Sequence, residues 1–264
     1  MPWKFFTNTG QQKTFDSSVA SSVSTVASAS SIAVTGPGTY LLTGTTTVAT
    51  ITGGAVGMTI TVQASGQASG TPVVLTYGAG SNAIKLSGGR SLGIYAQVPA
   101  DTAAGAGESV TLRYDGTAWV EIARDLRSVI DYVQITSPVT VTGTTAALAT
   151  TCITSSTFTV DGATPFEFKV MCPSIQCVGS SASLNVNVWE GSTDKGNIGR
   201  VEAGGTAGTA PRAPMSGSRR YVPAAASYTW TAKAWRTVAD GEFTAGAGTA
   251  GTYAPAYMQI TRAI

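Results

Sequence analysis

The sequence contains no histidine and few charged residues. None of its 264 residues is His, and Asp, Glu, Lys and Arg together make up 11%, whereas a typical domain has roughly 25%. Without histidine the chain has no Ser-His-Asp or Cys-His nucleophile, no His-ligated metal and no imidazole pH switch. The formal net charge of +2 supplies no basic field for nucleic acid or for an anionic membrane surface.

Long apolar segments are also missing. No run approaches the roughly 20 residues that a membrane span needs. Residues 1–8 have no apolar stretch of about seven or more residues and no small-residue cleavage site, so they do not match a secretory signal. We therefore expect a soluble protein that is made in a cytoplasm and has no membrane partner.

Cysteine is scarce, with three in the chain. Cys172 and Cys177 are close in sequence, and Cys152 lies upstream. A structural zinc site needs four ligands, and no histidine is present to complete the set. We predict no metal and no cofactor, and we expect buried thiols that behave as small hydrophobic residues. A disulfide between Cys172 and Cys177 is the alternative.

Threonine and glycine are abundant, with 40 Thr and 31 Gly, and apolar residues alternate with polar ones. Period-two alternation is typical of half-buried strands, and it recurs in Met58–Val62, Val110–Tyr114, Phe166–Val170 and Leu184–Val188. Gly-containing breaks separate these runs at the spacing of a β-sandwich or barrel. No segment keeps a 3.6-residue period, so the sequence predicts an all-β protein and not an α/β enzyme.

Composition divides the chain into four segments. Residues 1–35 are an aromatic N-terminal arm followed by a Ser/Ala/Val-rich linker, and residues 36–124 are a β-rich domain. Residues 125–135 carry clustered charges and are predicted to link two domains. Residues 136–264 contain about eight strand-like runs, which predict a C-terminal jelly-roll sandwich.

Two short motifs and the C-terminal segment resemble bacteriophage structural proteins. Residues 114–119, Tyr-Asp-Gly-Thr-Ala-Trp, resemble a hairpin module of tail-fibre, minor tail and head-fibre proteins. Residues 2–6, Pro-Trp-Lys-Phe-Phe, resemble the start of minor tail proteins from phages of actinobacteria. Residues 158–260 are similar to the trimeric jelly rolls of the tumour-necrosis-factor and C1q type found on virion fibres.

This resemblance implies a homotrimeric, non-enzymatic virion protein, and it carries over no catalytic residue. The implied partners are further copies of the chain and another virion protein. Two placements stay open. The opening motif favours a tail-associated fibre or minor tail protein that contacts the host surface, and the alternative is a head-fibre or decoration protein on the capsid. The charge-poor composition agrees with either, because obligate oligomers bury apolar subunit faces.

The N-terminal arm crowds aromatic residues into a peptide that is too short to form its own core. Trp3, Phe5 and Phe6 are predicted to anchor the chain to another virion protein. The alternative is that the arm packs back on its own domain.

Trp189 and Trp235 fall on the strand faces opposite to the expected core residues. Both are therefore predicted to face outward, and packing in a trimer interface is the simpler role. The sharper hypothesis is that these rings stack on a sugar of a host cell-surface glycan.

Paired carboxylates are the remaining catalytic candidates, and they define the alternative of a carbohydrate-binding or carbohydrate-cleaving surface protein. The pairs are Asp161 with Glu167 and Glu190 with Asp194. All four lie near predicted turns, where Asp and Gly are common for structural reasons. The chain is therefore predicted not to be an enzyme.

Two polar segments are predicted to be loops. Residues 190–197 hold oxygen ligands suited to calcium but lack the alternation of an EF-hand. Residues 212–220 include adjacent arginines, which are too few for a nucleic-acid patch, and they are expected to form a solvated or interface loop.

Overall fold

The structure, a computed structural model, is an all-β chain. It describes residues 22–101, 106–177, 182–202, 212–237, 241–244 and 253–263, together with the backbone of two short antiparallel strands, β1 (Lys4–Phe6) and β2 (Gln12–Thr14). Apart from one 3-10 turn at Ala146–Leu148, the described residues contain no helix. The all-β prediction is confirmed.

Residues 22–125 form a module of stacked short strands, which we call the rung module. Its strands are β3 (Ser22–Ala27), β4 (Ser31–Ala33), β5 (Gly38–Thr43), β6 (Thr50–Thr52), β7 (Thr59–Ala64), β8 (Pro72–Leu75), β9 (Ile84–Lys85), β10 (Leu92–Tyr95), β11 (Ser109–Tyr114) and β12 (Trp119–Asp125). Strands β3, β5 and β7 are parallel, and β4 is parallel to β6. Successive passes of the chain therefore lie on top of one another. The antiparallel β11 and β12 extend the first of these sheets.

The core of the rung module is built from alternate residues of each pass. Tyr40 and Leu42 of β5 are buried, whereas their neighbours along the strand are not. Ile32 lies in register with Ile51 of the next pass. The fully buried Trp119 donates a hydrogen bond from Nε1 to the carbonyl oxygen of Ile51 at 2.7 Å. Full burial of one such aliphatic side chain contributes about 1.5–3 kcal/mol.

Residues 129–263 form an antiparallel β-sandwich. Its strands are β13 (Val129–Ile135), β14 (Val139–Val141), β15 (Thr150–Val160), β16 (Phe166–Cys177), β17 (Ser183–Glu190), β18 (Thr193–Glu202), β19 (Arg212–Tyr221), β20 (Ala226–Arg236), β21 (Gly241–Thr244) and β22 (Ala256–Arg262). One sheet has the order β13-β22-β16-β21-β14, with β19 on the other edge of β16. The second sheet has the order β15-β20-β17-β18.

Aromatic rings fill one part of the sandwich core. The Trp230 ring lies 4.5 Å from the Phe158 ring and 5.2 Å from the Phe168 ring, centroid to centroid. Trp230 Nε1 donates to the Tyr221 hydroxyl at 2.8 Å. Burial raises the pKa of Tyr221 above its ordinary value. Offset aromatic pairs of this kind add to the stabilisation from buried area.

A buried ion pair joins the two modules. Arg262 donates to the two carboxylate oxygens of Glu108 at 2.8 and 3.1 Å, and each side chain is 1% exposed. Glu108 also accepts the backbone N–H groups of Tyr95 and Arg127. Arg262 donates to the carbonyl oxygen of Gly93 at 3.2 Å. A buried pair needs such additional hydrogen bonds to offset its desolvation.

The two modules are also joined by apolar packing and by a close approach of their backbones. Tyr95 and Val98 of the rung module belong to the sandwich core, and the Tyr95 hydroxyl donates to the carbonyl oxygen of Thr159 at 2.7 Å. Gly70 has φ +72°, and a Cβ there would lie 2.7 Å from Cβ of Phe158. This contact requires glycine, since any side chain would separate the two modules.

Two segments that were predicted to be linkers contain strands instead. Strands β3 and β4 lie in the Ser/Ala/Val-rich part of residues 1–35, and β13 occupies most of residues 125–135. Ile32 and Ile130 are buried in the two modules. Parallel pairing with β5 and β6 supplies backbone partners for β3 and β4, so Ser and Ala become strand residues despite their low β-propensity.

The segment at residues 212–220 is also a strand, where a loop was expected. It forms β19 and pairs with β16. Most of its side chains, including Arg219 and Arg220, are exposed, and only Met215 is buried. An edge strand with few buried residues lacks a clear alternation signal, which explains the wrong prediction.

The three cysteines are buried thiols, and none forms a disulfide. Cys152, Cys172 and Cys177 all lie in the sandwich. Burial raises the pKa of Cys152 to about 12. The expectation of buried hydrophobic thiols agrees with this arrangement.

Candidate functional site

Trp189 and Trp235 lie on the outer face of the sheet β15-β20-β17-β18. Trp189 is opposite Thr231, and Trp235 lies four residue pairs further along the same two strands. The pair Asn187–Lys233 lies between them. Both tryptophan rings are half-buried. The structure therefore brings both residues to one face.

Polar groups surround the Trp189 ring. Lys233 Nζ lies 4.4 Å from the ring centroid, within cation–π range. Asn187 donates from Nδ2 to both carboxylate oxygens of Asp194 at 2.7 and 2.8 Å. Trp189 Nε1, Asn187 Oδ1 and Thr231 Oγ1 are enclosed, and they have no hydrogen-bond partner among the described residues. The half-buried Trp189 ring suits stacking against a sugar, which would have to share the ring with Lys233. The three enclosed atoms are covered by the protein and are not available to a ligand.

Three of the four carboxylates considered for catalysis, Asp161, Glu190 and Asp194, make structural contacts. Asp161 accepts hydrogen bonds from the backbone of Gly93 and from the backbone and hydroxyl of Thr164. Glu190 forms an ion pair with Lys195. The expected loop at residues 190–197 is a β-hairpin instead: Gly191 and Ser192 form the turn, and residues 193–197 belong to β18. No group of three or more metal-binding side chains occurs in the part of the chain that the structure describes.

The predicted virion anchor falls largely outside the described residues. Trp3 lies outside them, and so do the side chains of Phe5 and Phe6. The backbone of Phe5 and Phe6 belongs to β1, which pairs with β2. The anchoring role stays a prediction.

Residues 114–119 form the predicted hairpin between β11 and β12. Asp115 Oδ1 accepts the backbone N–H groups of Ala118 at 2.7 Å and Thr117 at 2.8 Å. These two hydrogen bonds lower the pKa of Asp115 below its ordinary value. Gly116 has φ +105°, a conformation that L side chains rarely adopt. The Asp-Gly sequence therefore fixes this turn.

The outer face of the rung module is a broad surface with little charge, which we call the threonine face. Its central row crosses five strands in register and comprises Val23, Thr39, Thr61, Thr111 and Ala123. In the neighbouring row Arg113 lies between Thr59 and Val120. Val120 and Ile122 on β12 are 37% and 56% exposed. No residue of the central row is charged, and Val23 is 65% exposed.

The period-two alternation of Met58–Val62 and Val110–Tyr114 places Thr59, Thr61 and Thr111 opposite the apolar residues, but sequence reasoning did not find the threonine face. The face exists because five strands align in register, and alternation within one strand does not indicate which strands will lie beside it. The recurring threonines at outward positions were the available signal.

Comparisons with known proteins give little guidance to function. No protein-family model matches the chain, and no curated protein matches it in sequence. Among solved structures, the infectious bursal disease virus Gt strain is 13% identical with a TM-score of 0.17, covering 62% of this chain and 50% of that one. The VP2 subviral particle of the same virus is 12% identical with a TM-score of 0.19, covering 66% and 49%.

The chain thus spans about half the length of these structures. At such TM-scores the likeness carries no argument about fold or function. Among the described residues, no helix has the length and apolar character needed to cross a membrane.

Proposed function

We propose that the chain is a homotrimeric structural component of a bacteriophage virion, most closely suited to a tail-associated fibre or minor tail protein. The observation that carries this proposal is the threonine face. In a single chain it leaves a row of uncharged residues on five aligned strands in water. Obligate oligomers bury faces of this composition, with charged residues excluded from the centre.

The threonine face suits a second and third copy of the same chain. Thr61 and Thr111 already bond to each other through their hydroxyls at 3.2 Å, so the row presents methyl groups with few unmet hydrogen bonds. Val120 and Ile122 extend it with exposed aliphatic surface. The outer face with Trp189 holds charged residues, including Asp194 and Lys233, and is a poorer subunit interface.

The solution mass tests the trimer. Light scattering should give three times 26.7 kDa, about 80 kDa for the assembly on the interface argument above. Thr61→Lys, at the centre of the face, should yield a folded monomer because a lysine cannot be buried there unpaired.

Ser218→Lys is the matched control, since Ser218 is an exposed residue of β19 and should leave the trimer intact. A wild-type monomer would refute the trimer. A trimer that tolerates Thr61→Lys would refute the threonine face as its interface.

A second role, contact with a host glycan, is supported by the surroundings of Trp189 and Trp235. Trp235→Ala should reduce adsorption of virions to host cells while the trimer stays intact, because a stacking surface is lost. Lys233→Ala should increase adsorption or leave it unchanged, since Lys233 shares the Trp189 ring. Unchanged adsorption of the Trp235→Ala virions would contradict this role.

Placement on the virion is tested through the N-terminal arm. Deletion of residues 1–16 should abolish incorporation into particles without unfolding the two modules, since the described core residues of both modules all lie from Val26 onward. Imaging of labelled virions separates tail from head, and label on the capsid would favour the decoration-protein alternative. Normal incorporation of the shortened chain would contradict the anchor.

A further inference from the structure

A cleft of about 680 Å³ lies where the two modules meet, beside the buried Glu108–Arg262 pair. Its volume falls in the range of about 300–1,000 Å³ that is usual for small-ligand sites. Three arginines line it: Arg90 and Arg124 from the rung module and Arg220 from the sandwich. None of the described residues that line the cleft is acidic.

Arg124 is held in place by its neighbours. Its Nε and Nη2 donate to the two carboxylate oxygens of Glu121, and Nη2 also donates to the carbonyl oxygen of Ser87 at 3.3 Å. Glu121 in turn accepts the backbone N–H of Ser87 at 2.8 Å. Nη1 makes no hydrogen bond to the described residues, so a positioned guanidinium still has N–H donors to offer.

Arg90 and Arg220 have more donors available. Arg90 is exposed and makes no hydrogen bond or ion pair with described residues. Arg220 donates from Nη2 to the carbonyl oxygen of Ala263 at 2.7 Å, which leaves Nη1 and Nε. Glu167 lies opposite Arg220 in the β16–β19 register but forms no ion pair with it.

The cleft therefore keeps a positive charge. Its lining includes three arginines, of which Arg124 is paired with Glu121 and the other two form no ion pair with described residues. The nearby carboxylate of Asp161 accepts hydrogen bonds from Gly93, Ala163 and Thr164, which hold it in place and leave its negative charge beside the cleft. Arginine forks match the geometry of phosphate and carboxylate groups.

The remaining lining is both apolar and hydroxyl-bearing. Leu92 and Pro165 supply apolar surface, and Ser87 and Ser91 supply hydroxyl groups. A sugar matches such a lining, because its ring has apolar C–H faces and carries hydroxyl groups around its edge. We propose that the cleft binds a saccharide that carries a phosphate or carboxylate group. This site is separate from the threonine face and from Trp189, and its test needs only the purified protein.

Calorimetric titration at low ionic strength tests the proposal, because charge interactions are screened least there. The probes are glucose 6-phosphate and glucuronate, with glucose and inorganic phosphate as comparison ligands. One of the two anionic sugars should bind saturably with one site per chain, and which one binds identifies the anion. Glucose should not bind, and inorganic phosphate should bind at least tenfold more weakly than the sugar phosphate if phosphate is the anion.

Two variants and one control assign the binding to the cleft. Arg90→Ala and Arg220→Ala should each weaken binding about tenfold, the usual effect of losing a charged hydrogen bond. Arg219→Ala should leave it unchanged, since Arg219 is exposed on the same strand but does not line the cleft. Arg90 has no partner within the described part of the chain, so its removal should not disturb the fold.

Three results would overturn the proposal. The first is that neither anionic sugar binds saturably. The second is that Arg219→Ala weakens binding as much as Arg220→Ala, which indicates unspecific surface charge. The third is that inorganic phosphate binds as tightly as the sugar phosphate, which leaves no role for the saccharide.

Discussion

The rung module and the sandwich bury a charge-poor chain in two different ways. Strands in the rung module are two to seven residues long, and in three passes they stack in parallel. Strands β15 and β16 of the sandwich have 11 and 12 residues, and each pairs antiparallel with neighbours in its own sheet, β20 for β15 and β22 for β16. In the rung module, each pass of the chain is buried by the next pass. In the sandwich, the two sheets enclose an aromatic cluster of their own.

This difference assigns the two modules different weak points. In the rung module the first pass, β3, pairs with described residues on one edge only, and stacked units derive much of their stability from neighbours. At its other end the rung module packs against the sandwich core through Tyr95. We therefore expect the rung module to depend on the junction and the sandwich to depend on its own core.

The largest expected effect comes from breaking the junction. Glu108→Ala should lower the free energy of unfolding by about 5 kcal/mol, because Arg262 is left buried and unpaired and two backbone N–H groups lose their acceptor. Urea unfolding followed by tryptophan fluorescence measures this loss.

Glu202→Ala is the control for that variant. Glu202 pairs with Arg200, and the two side chains are 67% and 55% exposed, so the cost should stay below about 1 kcal/mol. Similar losses for the two variants would mean that the junction does not hold the modules together.

The next effect compares the two cores directly. Phe168→Ala in the sandwich should cost about 4 kcal/mol, and Leu42→Ala in the rung module about 3 kcal/mol, since both side chains are fully buried. If the junction couples the modules, both changes shift one shared transition in urea. Two separate transitions, each moved by only one of the variants, would show that the modules unfold independently.

A smaller effect distinguishes the two buried tryptophans. Trp119→Phe should cost about 2 kcal/mol, because the carbonyl oxygen of Ile51 loses its buried donor. Trp230→Phe should cost about 1 kcal/mol in hydrogen bonding, since the half-buried Tyr221 hydroxyl can find water instead. Thermal unfolding of both variants provides the comparison, and the reverse order would contradict it.

The smallest effect is a pH dependence in the hairpin of the rung module. The pKa of Asp115 is lowered in the folded chain, so its carboxylate stabilises the fold above the pKa of the unfolded chain. That contribution disappears as the pH falls through the folded pKa. The difference in urea midpoint between wild type and Asp115→Asn should therefore shrink in acid. A difference that is constant with pH would rule out this role of the carboxylate.

The strands with clear alternation could be predicted from sequence. Phe166, Phe168 and Val170 occupy one buried face of β16, as period-two patterning indicates. The Asp115-Gly116 turn could be predicted equally well, because Asp and Gly both favour turns through their local backbone conformation and hydrogen bonding.

Long-range features could not be predicted in this way. Glu108 and Arg262 are separated by 154 residues, and nothing in either local sequence indicates the partner. The parallel stacking of β3 on β5 was hidden because alternation does not distinguish parallel from antiparallel neighbours. The same holds for the cleft, where Arg90, Arg124 and Arg220 meet only after both modules have folded.

The positions of the cysteines have a practical consequence. All three thiols lie inside the sandwich, and the rung module contains none. The pKa of Cys152 is raised to about 12 by burial, so at neutral pH it holds almost no reactive thiolate. Alkylation of these thiols should therefore require opening of the sandwich and should not depend on opening of the rung module. The alkylation rate then measures how often the sandwich exchanges between its closed and open states.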